Sequence, residues 1–140
     1  MFASDDIARI GEGVRDRTLP KADWTHAAHI AAAVWLLDRH GKAAESVMPD
    51  MIRRYNAATG VPNTDTSGYH HTITVASLRA IRAAMGEGDL AERTNRVLAQ
   101  GFNRPDWLFR HYSKARLFGV EARRTWVEPD LEPLPPVSSA

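Results

Sequence analysis

Two short polar motifs contain the residues of this chain best suited to chemistry. The first, W-T-H-A-A-H, spans residues 24–29, and the second, N-T-D-T-S-G-Y-H, spans residues 63–70. Imidazole side chains can transfer protons near neutral pH or bind a divalent metal, and a tyrosine hydroxyl can assist either role. The sequence therefore predicts one site assembled from two separate segments.

The spacing of the histidines suggests two kinds of enzyme acting on a small molecule. His26 and His29 are three residues apart, so on a helix they share one face with roughly 5–6 Å between their Cβ atoms. With His70 as third ligand they would hold a divalent metal, zinc or iron, that activates water or substrate. In the metal-free alternative, His29 or His70 is the general base and Tyr69 is its partner.

The loop before Tyr69 supports a different hypothesis, a non-catalytic binding module. Its small polar residues Asn63, Asp65, Thr66 and Ser67 are predicted to bind the ligand. Backbone amides at helix N-termini attract anions, so a carboxylate or phosphate would fit there. In a third hypothesis these polar groups only fix the packing of a structural or partner-binding protein. The sequence leaves the three hypotheses open, including whether the protein is an enzyme.

The surrounding sequence predicts an all-α bundle of about five main helices. Capping residues and glycines mark the ends of most of these segments. The predicted helices run from Ser4 to about Arg17, from Asp23 or Thr25 to His40, from Lys42 to Ala58, from Tyr69 to Met85, and from Asp89 to about Gln100. Residues 27–37 are apolar on every side except at His29, which places the second helix at the centre of the bundle.

Three segments interrupt this simple pattern. Pro49 lies inside the third predicted helix and should kink or split it. Residues 72–75 have strand propensity, but the length of their segment and the lack of a convincing partner strand favour a helix. Residues 103–105 begin one more helical segment. We predict a bundle domain of residues 1–128 followed by an extended proline-rich tail, residues 129–140.

The predicted topology brings the two motifs together. Short connections make consecutive helices antiparallel, so the second and fourth helices begin at the same end of the bundle. His26 or His29 should then share a pocket with Tyr69 or His70. The predicted core consists of Ala33, Leu36, Leu37, Ile73, Leu78 and Ile81, whereas Arg53 should be exposed.

The composition excludes several classes of protein. The 18 Lys and Arg residues nearly balance the 17 Asp and Glu residues, so no strong field attracts nucleic acid or a membrane surface. The chain has no cysteine, which excludes disulfides, thiolate metal sites and cysteine nucleophiles. The acidic first residues are unlike a signal peptide, and the longest near-apolar run is too short to span a bilayer. We expect a cytoplasmic protein with a small-molecule ligand and no nucleic-acid or membrane partner.

Both polar motifs resemble those of a widespread family of uncharacterised bacterial proteins of similar length. The resemblance extends to R-R-Y-N at residues 53–56 and to E-A-R-R-T-W-V-E-P-D-L at residues 121–131, and it covers nearly the whole chain. In that family the residue after the motif histidine is commonly glutamate, whereas this chain has His71. The difference argues against a mechanism that needs a carboxylate there. The resemblance implies where the site lies and not its chemistry.

Overall fold

The structure, a computed structural model, describes residues 1–136, and this part of the chain is helical with no strand. Its α-helices are α1 (Ser4–Arg15), α2 (His26–His40), α3 (Ala44–Ala58), α4 (His71–Ala84), α5 (Leu90–Val97), α6 (Lys114–Leu117) and α7 (Val120–Arg124). Short 3₁₀ helices occupy Lys21–Asp23, Gly41–Ala43 and Pro105–Arg110, and a π-turn occupies Leu98–Phe102. The predicted all-α class is confirmed. No helix in residues 1–136 has the length and apolar character needed to cross a bilayer.

Side-chain caps explain where α2 and α5 begin. The Thr25 hydroxyl accepts a hydrogen bond from the Ala28 amide at 3.1 Å, and Gly41, with φ of 57°, follows the last residue of α2. Asp89 and Glu92 form a reciprocal capping box at the start of α5. Both starts agree with the sequence prediction.

The helix α1 begins at the predicted residue, but the Ser4 side chain does not cap it. Ser4 is the first helical residue, and Ala3 precedes the helix as its N-cap. The Ser4 hydroxyl instead accepts a hydrogen bond from the Ala91 amide at 3.0 Å. This serine therefore joins α1 to α5, a long-range contact that local sequence patterns do not reveal.

Two further predictions concern Pro49 and residues 72–75, in the middle of the chain. The helix α3 continues through Pro49 without splitting. Proline lacks one backbone N–H, so the helix loses a single hydrogen bond near its start, while the buried Pro49 ring adds to the core. Residues 72–75 are helical, as predicted, but α4 begins at His71 and not at Tyr69.

The helix α2 lies at the centre of the bundle, as its apolar surface predicted. It contacts α1, α3, α4 and α5, and every residue from Ile30 to Leu37 is buried. The predicted core residues Ala33, Leu36, Leu37, Leu78 and Ile81 are buried, and Arg53 is exposed. Ile73 is only partly buried because it lines a cavity, described below.

A second, smaller core forms where the C-terminal region packs on α4. It contains Ala76, Leu108, Tyr112, Leu117, Ala122 and Val127. The Thr72 hydroxyl donates to the Thr125 carbonyl at 2.7 Å and accepts from the Val127 amide at 3.1 Å. The helices α6 and α7 were not predicted. Residues 129–136 of the predicted tail are described, whereas residues 137–140 lie outside the described part.

We expect Leu36→Ala to lower the free energy of unfolding by about 2–5 kcal/mol, because Leu36 is 2% exposed and its removal leaves a cavity in the main core. Urea denaturation measures the change. Leu131→Ala is the matched control, since Leu131 is 55% exposed and should lose little. Equal losses in the two variants would show that α2 is not central to stability.

Candidate functional site

A partly enclosed cavity lies between α2, α3 and α4. It has a volume of about 100 Å³ and adjoins a wider outer cleft of about 680 Å³. The side chains that line both spaces are His26, His29, Ile73, Ser77 and Trp107. The other side chains of the inner space are mostly apolar and are Ile30, Ala33, Met48, Ile52, Thr74, Leu78, Ile81 and Phe102. The two histidines and Ser77 therefore lie where an apolar space meets the outer cleft.

One face of α4 forms a wall of this cavity. Ile73, Ser77 and Ile81 recur every four residues and so lie in a row along the helix. Thr74 also lines the cavity, and its hydroxyl donates to the His70 carbonyl at 2.8 Å. Thr74 and Ser77 therefore give this wall two polar positions.

Residues 98–110 cover the cavity on a further side. Phe102 and Trp107 contact each other edge to face with ring centroids 4.9 Å apart, and both line the inner space. Gly101, with φ of 91°, breaks the helical backbone within the π-turn Leu98–Phe102. His26 Nε2 lies 2.8 Å from the Phe102 carbonyl oxygen. Since a carbonyl only accepts, His26 donates from Nε2 and attaches this covering segment to α2.

The surroundings of His29 keep its imidazole neutral. The ring stacks on Trp24 with centroids 3.8 Å apart, and Trp24 packs edge to face against Tyr55. Tyr55 in turn donates to the Leu19 carbonyl at 2.8 Å, which fixes the whole aromatic group. Burial, with a smaller contribution from His26, lowers the pKa of His29 to about 4. At neutral pH this residue is an uncharged hydrogen-bonding group.

His70 has a structural role that uses both of its ring nitrogens. Nδ1 accepts from the Ile73 amide at 3.1 Å, which makes His70 the N-cap of α4. Nε2 lies 2.7 Å from the Leu117 carbonyl oxygen and so donates to it. Burial lowers the pKa of His70, in agreement with a neutral ring. Thr66 and Ser67, in the loop before α4, do not cap it.

Tyr69 pairs with His71, a residue that the sequence analysis did not select. The Tyr69 hydroxyl lies 2.8 Å from His71 Nδ1, and the Arg53 guanidinium lies over the tyrosine ring at 4.3 Å from its centroid. Burial raises the pKa of Tyr69, so the hydroxyl stays protonated and donates a hydrogen bond to His71 Nδ1. Burial and the charge of Arg53 both lower the pKa of His71. Helical periodicity gave no signal for this pair because Tyr69 lies before the helix.

The predicted residues therefore fall in different places. His26 and His29 share the cavity, as predicted, but Tyr69 lines a different pocket and His70 lines neither. We expected the two motifs to share one pocket, and they do not. The His70 side chain caps α4, so its ring turns back over its own helix and does not enter the cavity. In residues 1–136 no group of three or more His, Asp or Glu side chains is arranged to hold a metal ion. His70 does not join His26 and His29 as a third ligand.

The predicted ligand-binding loop is held by hydrogen bonds within itself and by others to α3 and α7. Asn63 Oδ1 accepts from the Asn56 amide group at 3.1 Å and from the Tyr69 backbone amide at 3.0 Å. The Thr64 amide donates to the Ser67 carbonyl at 2.9 Å, which closes the turn that contains Asp65 and Thr66. A side chain on Gly68 would collide with the Pro62 carbonyl, so only glycine fits where the loop folds back.

Comparison with protein-family models, with curated proteins and with solved structures gave no match for this chain. The resemblance of the two motifs to the bacterial family stays a prediction. Function is therefore inferred from the cavity, its lining and the charges around it.

We expect His70→Ala to destabilise the protein by about 1–3 kcal/mol, because it removes a helix cap and a buried hydrogen bond. His70→Asn should lose less, since asparagine can still cap α4. Urea denaturation measures both changes. His40→Ala is the control, because His40 is exposed at the end of α2. A loss in His70→Ala no larger than that in His40→Ala would contradict the capping role.

His29 should also make stability depend on pH. Its pKa is about 4 in the folded protein and near 6.5 when unfolded, so between these values the unfolded state binds the extra proton. Its contribution is fully present above pH 6.5 and is lost as the pH falls towards 4. We expect His29→Gln to show a smaller loss of unfolding free energy than wild type in this window. Parallel curves for the two proteins would contradict a neutral, partly buried His29.

Proposed function

We propose that the protein binds a small, uncharged and mainly apolar organic molecule in the cavity between α2, α3 and α4. The apolar part of the ligand occupies the inner space, and a hydroxyl or amide group at its other end hydrogen-bonds with His29 and Ser77. The observation that carries this proposal is a neutral imidazole placed where an apolar cavity meets an outer cleft. Ligand sites commonly combine an apolar lining with a few polar groups in this way.

The lining of the inner space favours an apolar ligand. Aliphatic side chains from three helices surround it, together with the aromatic rings of Phe102 and Trp107. Removing apolar ligand surface from water stabilises the complex by roughly 25 cal/mol per Å². The polar groups that line the inner space belong to His26, His29, Thr74, Ser77 and the indole of Trp107, and the hydroxyl proton of Thr74 is already donated to a carbonyl.

The electrostatics of the cavity favour an uncharged ligand. His29 carries no charge at neutral pH, because its pKa is about 4. Arg104 lines the outer cleft and not the inner space, and the opposite charge of Asp106 lines the same cleft, so the two charges largely cancel there. An anionic ligand would thus gain little attraction and would lose its hydration on entering the apolar space. The anionic ligand predicted from the loop therefore suits this cavity poorly.

Binding is better supported than proton-transfer catalysis. An effective general base has a pKa near the working pH, and His29 lies well below it. Both nitrogens of His70 are engaged in structural hydrogen bonds, and Tyr69 lines another pocket. The enzymatic hypothesis thus loses its predicted base and its partner. The cytoplasmic location stays a prediction.

Phenol and benzoate provide a direct test, because they share a ring and differ in charge. We expect phenol to bind saturably and to shift amide NMR signals of α2 and α4, while benzoate binds at least about tenfold more weakly. The factor reflects the cost of burying a carboxylate without a cationic partner. Benzoate binding as tight as that of phenol would contradict an uncharged ligand, and no saturable phenol binding would contradict the proposed cavity site.

Ser77→Leu tests the location, since the larger side chain would fill the junction between the cavity and the cleft. We expect phenol affinity to fall about tenfold or more, equivalent to at least 1.4 kcal/mol. The matched control is Ser46→Leu on the exposed surface of α3. Thermal unfolding checks that both variants stay folded. Unchanged phenol affinity in folded Ser77→Leu would place the binding site elsewhere.

A further inference from the structure

A second pocket lies outside the His29 cavity and has a different chemical character. Its volume is about 220 Å³, and three arginines line it. These arginines are Arg53 on α3 and Arg123 and Arg124 on α7. The remaining lining comes from Asn63, Thr64, Asp65 and Tyr69. Guanidinium groups from two elements that are distant in sequence therefore meet at the loop before α4.

The volume of this arginine pocket, about 220 Å³, is enough for a small anion and its immediate substituent but not for a large ligand. Arg123 is fixed at its edge. Its Nη1 donates to the backbone carbonyls of Gly68 at 3.0 Å and Tyr69 at 3.3 Å. A guanidinium has five N–H donors, so further donors stay open to a ligand. In residues 1–136 no carboxylate forms an ion pair with Arg123.

Arg53 adds a second positive charge that is only weakly compensated. Its guanidinium lies over the Tyr69 ring, which restricts its position. Its ion pair with Asp50 is 3.4 Å long, and the Asp50 side chain is 71% exposed. Such exposed pairs contribute little. Asp50 does not line the pocket, so Arg53, held there by the Tyr69 ring, keeps most of its charge available to an anion.

Arg124 is paired within the pocket. Its Nε donates to one oxygen of Asp65 at 2.7 Å and its Nη2 to the other at 2.5 Å. The hydrogen bond with Arg124 lowers the pKa of Asp65, and the charges of Arg124 and Arg123 lower it further. Asp65 thus binds the guanidinium of Arg124 as an anionic ligand would. Asp65 is matched by Arg124, so the positive charges of Arg53 and Arg123 give the pocket a net positive charge.

We propose that this arginine pocket binds a phosphate group, either free phosphate or the phosphate of a small monoester. Arginine forks match the geometry of phosphate oxygens and bind them through paired, charge-assisted hydrogen bonds. Arg123 and Arg53 supply the charge, and Asp65 competes with the ligand for Arg124. The site goes beyond the proposed cavity function and does not depend on it.

Titration with inorganic phosphate at low ionic strength, followed by calorimetry and by amide NMR shifts, tests the proposal. We expect saturable binding that Arg53→Gln weakens about tenfold, the loss typical of one charge-assisted hydrogen bond. Arg54→Gln is the matched control, because Arg54 is the adjacent exposed arginine and does not line the pocket. It should bind phosphate like wild type.

Asp65→Asn provides the opposite change. Removing the competing carboxylate releases Arg124, so phosphate affinity should rise severalfold, and a fall would overturn the proposal. Equal losses in the Arg53 and Arg54 variants, or no saturable binding by wild type, would overturn it as well. Arg123 is not the primary test, because its substitution also removes the contacts that hold the loop.

Glycerol 3-phosphate distinguishes the two sources of the phosphate group. Tighter binding of this ester than of inorganic phosphate would support a small phosphorylated metabolite, and the reverse order would support free phosphate. Binding of either that is unaffected by Arg53→Gln would overturn the site. Phenol binding reports on the His29 cavity alone, so failure of one proposal is distinguishable from failure of the other.

Discussion

The burial of α2 is the constraint on which the rest of the structure depends. A helix that is apolar on nearly every side must be surrounded, and α1, α3, α4 and α5 all pack on it. Several of its residues are alanine, whose small side chain leaves room for larger side chains from the neighbouring helices. At Ala33 the small side chain leaves space between α3 and α4, and the cavity forms there. The site is thus a consequence of how the central helix is covered.

Polar residues that look suited to catalysis hold the two cores together. His70 links the start of α4 to Leu117, and Thr72 links the next residues of α4 to the chain after α7. Buried polar groups must be paired, so each of these contacts fixes a connection that apolar packing alone would leave loose. The second motif is therefore largely an attachment point for the C-terminal region.

The sequence predicted the features that depend on local patterns. The central position of α2 follows from its apolar surface, and the starts of α2 and α5 follow from Thr25 and Asp89. The direction of the His70 side chain could not be predicted, because the residue lies at a helix boundary where periodicity no longer applies. The short helices α6 and α7 also lack a strong local signal, since long-range packing on α4 stabilises them.

The two pockets share structural elements although their chemistry differs. Ile52 lines the His29 cavity and Arg53, the next residue of α3, lines the arginine pocket. Tyr69 lines the arginine pocket, and the hydroxyl of Thr74, a cavity residue, donates to the carbonyl of His70, the residue that follows Tyr69. Consecutive residues of α3, and neighbouring residues at the start of α4, thus serve two chemically different pockets.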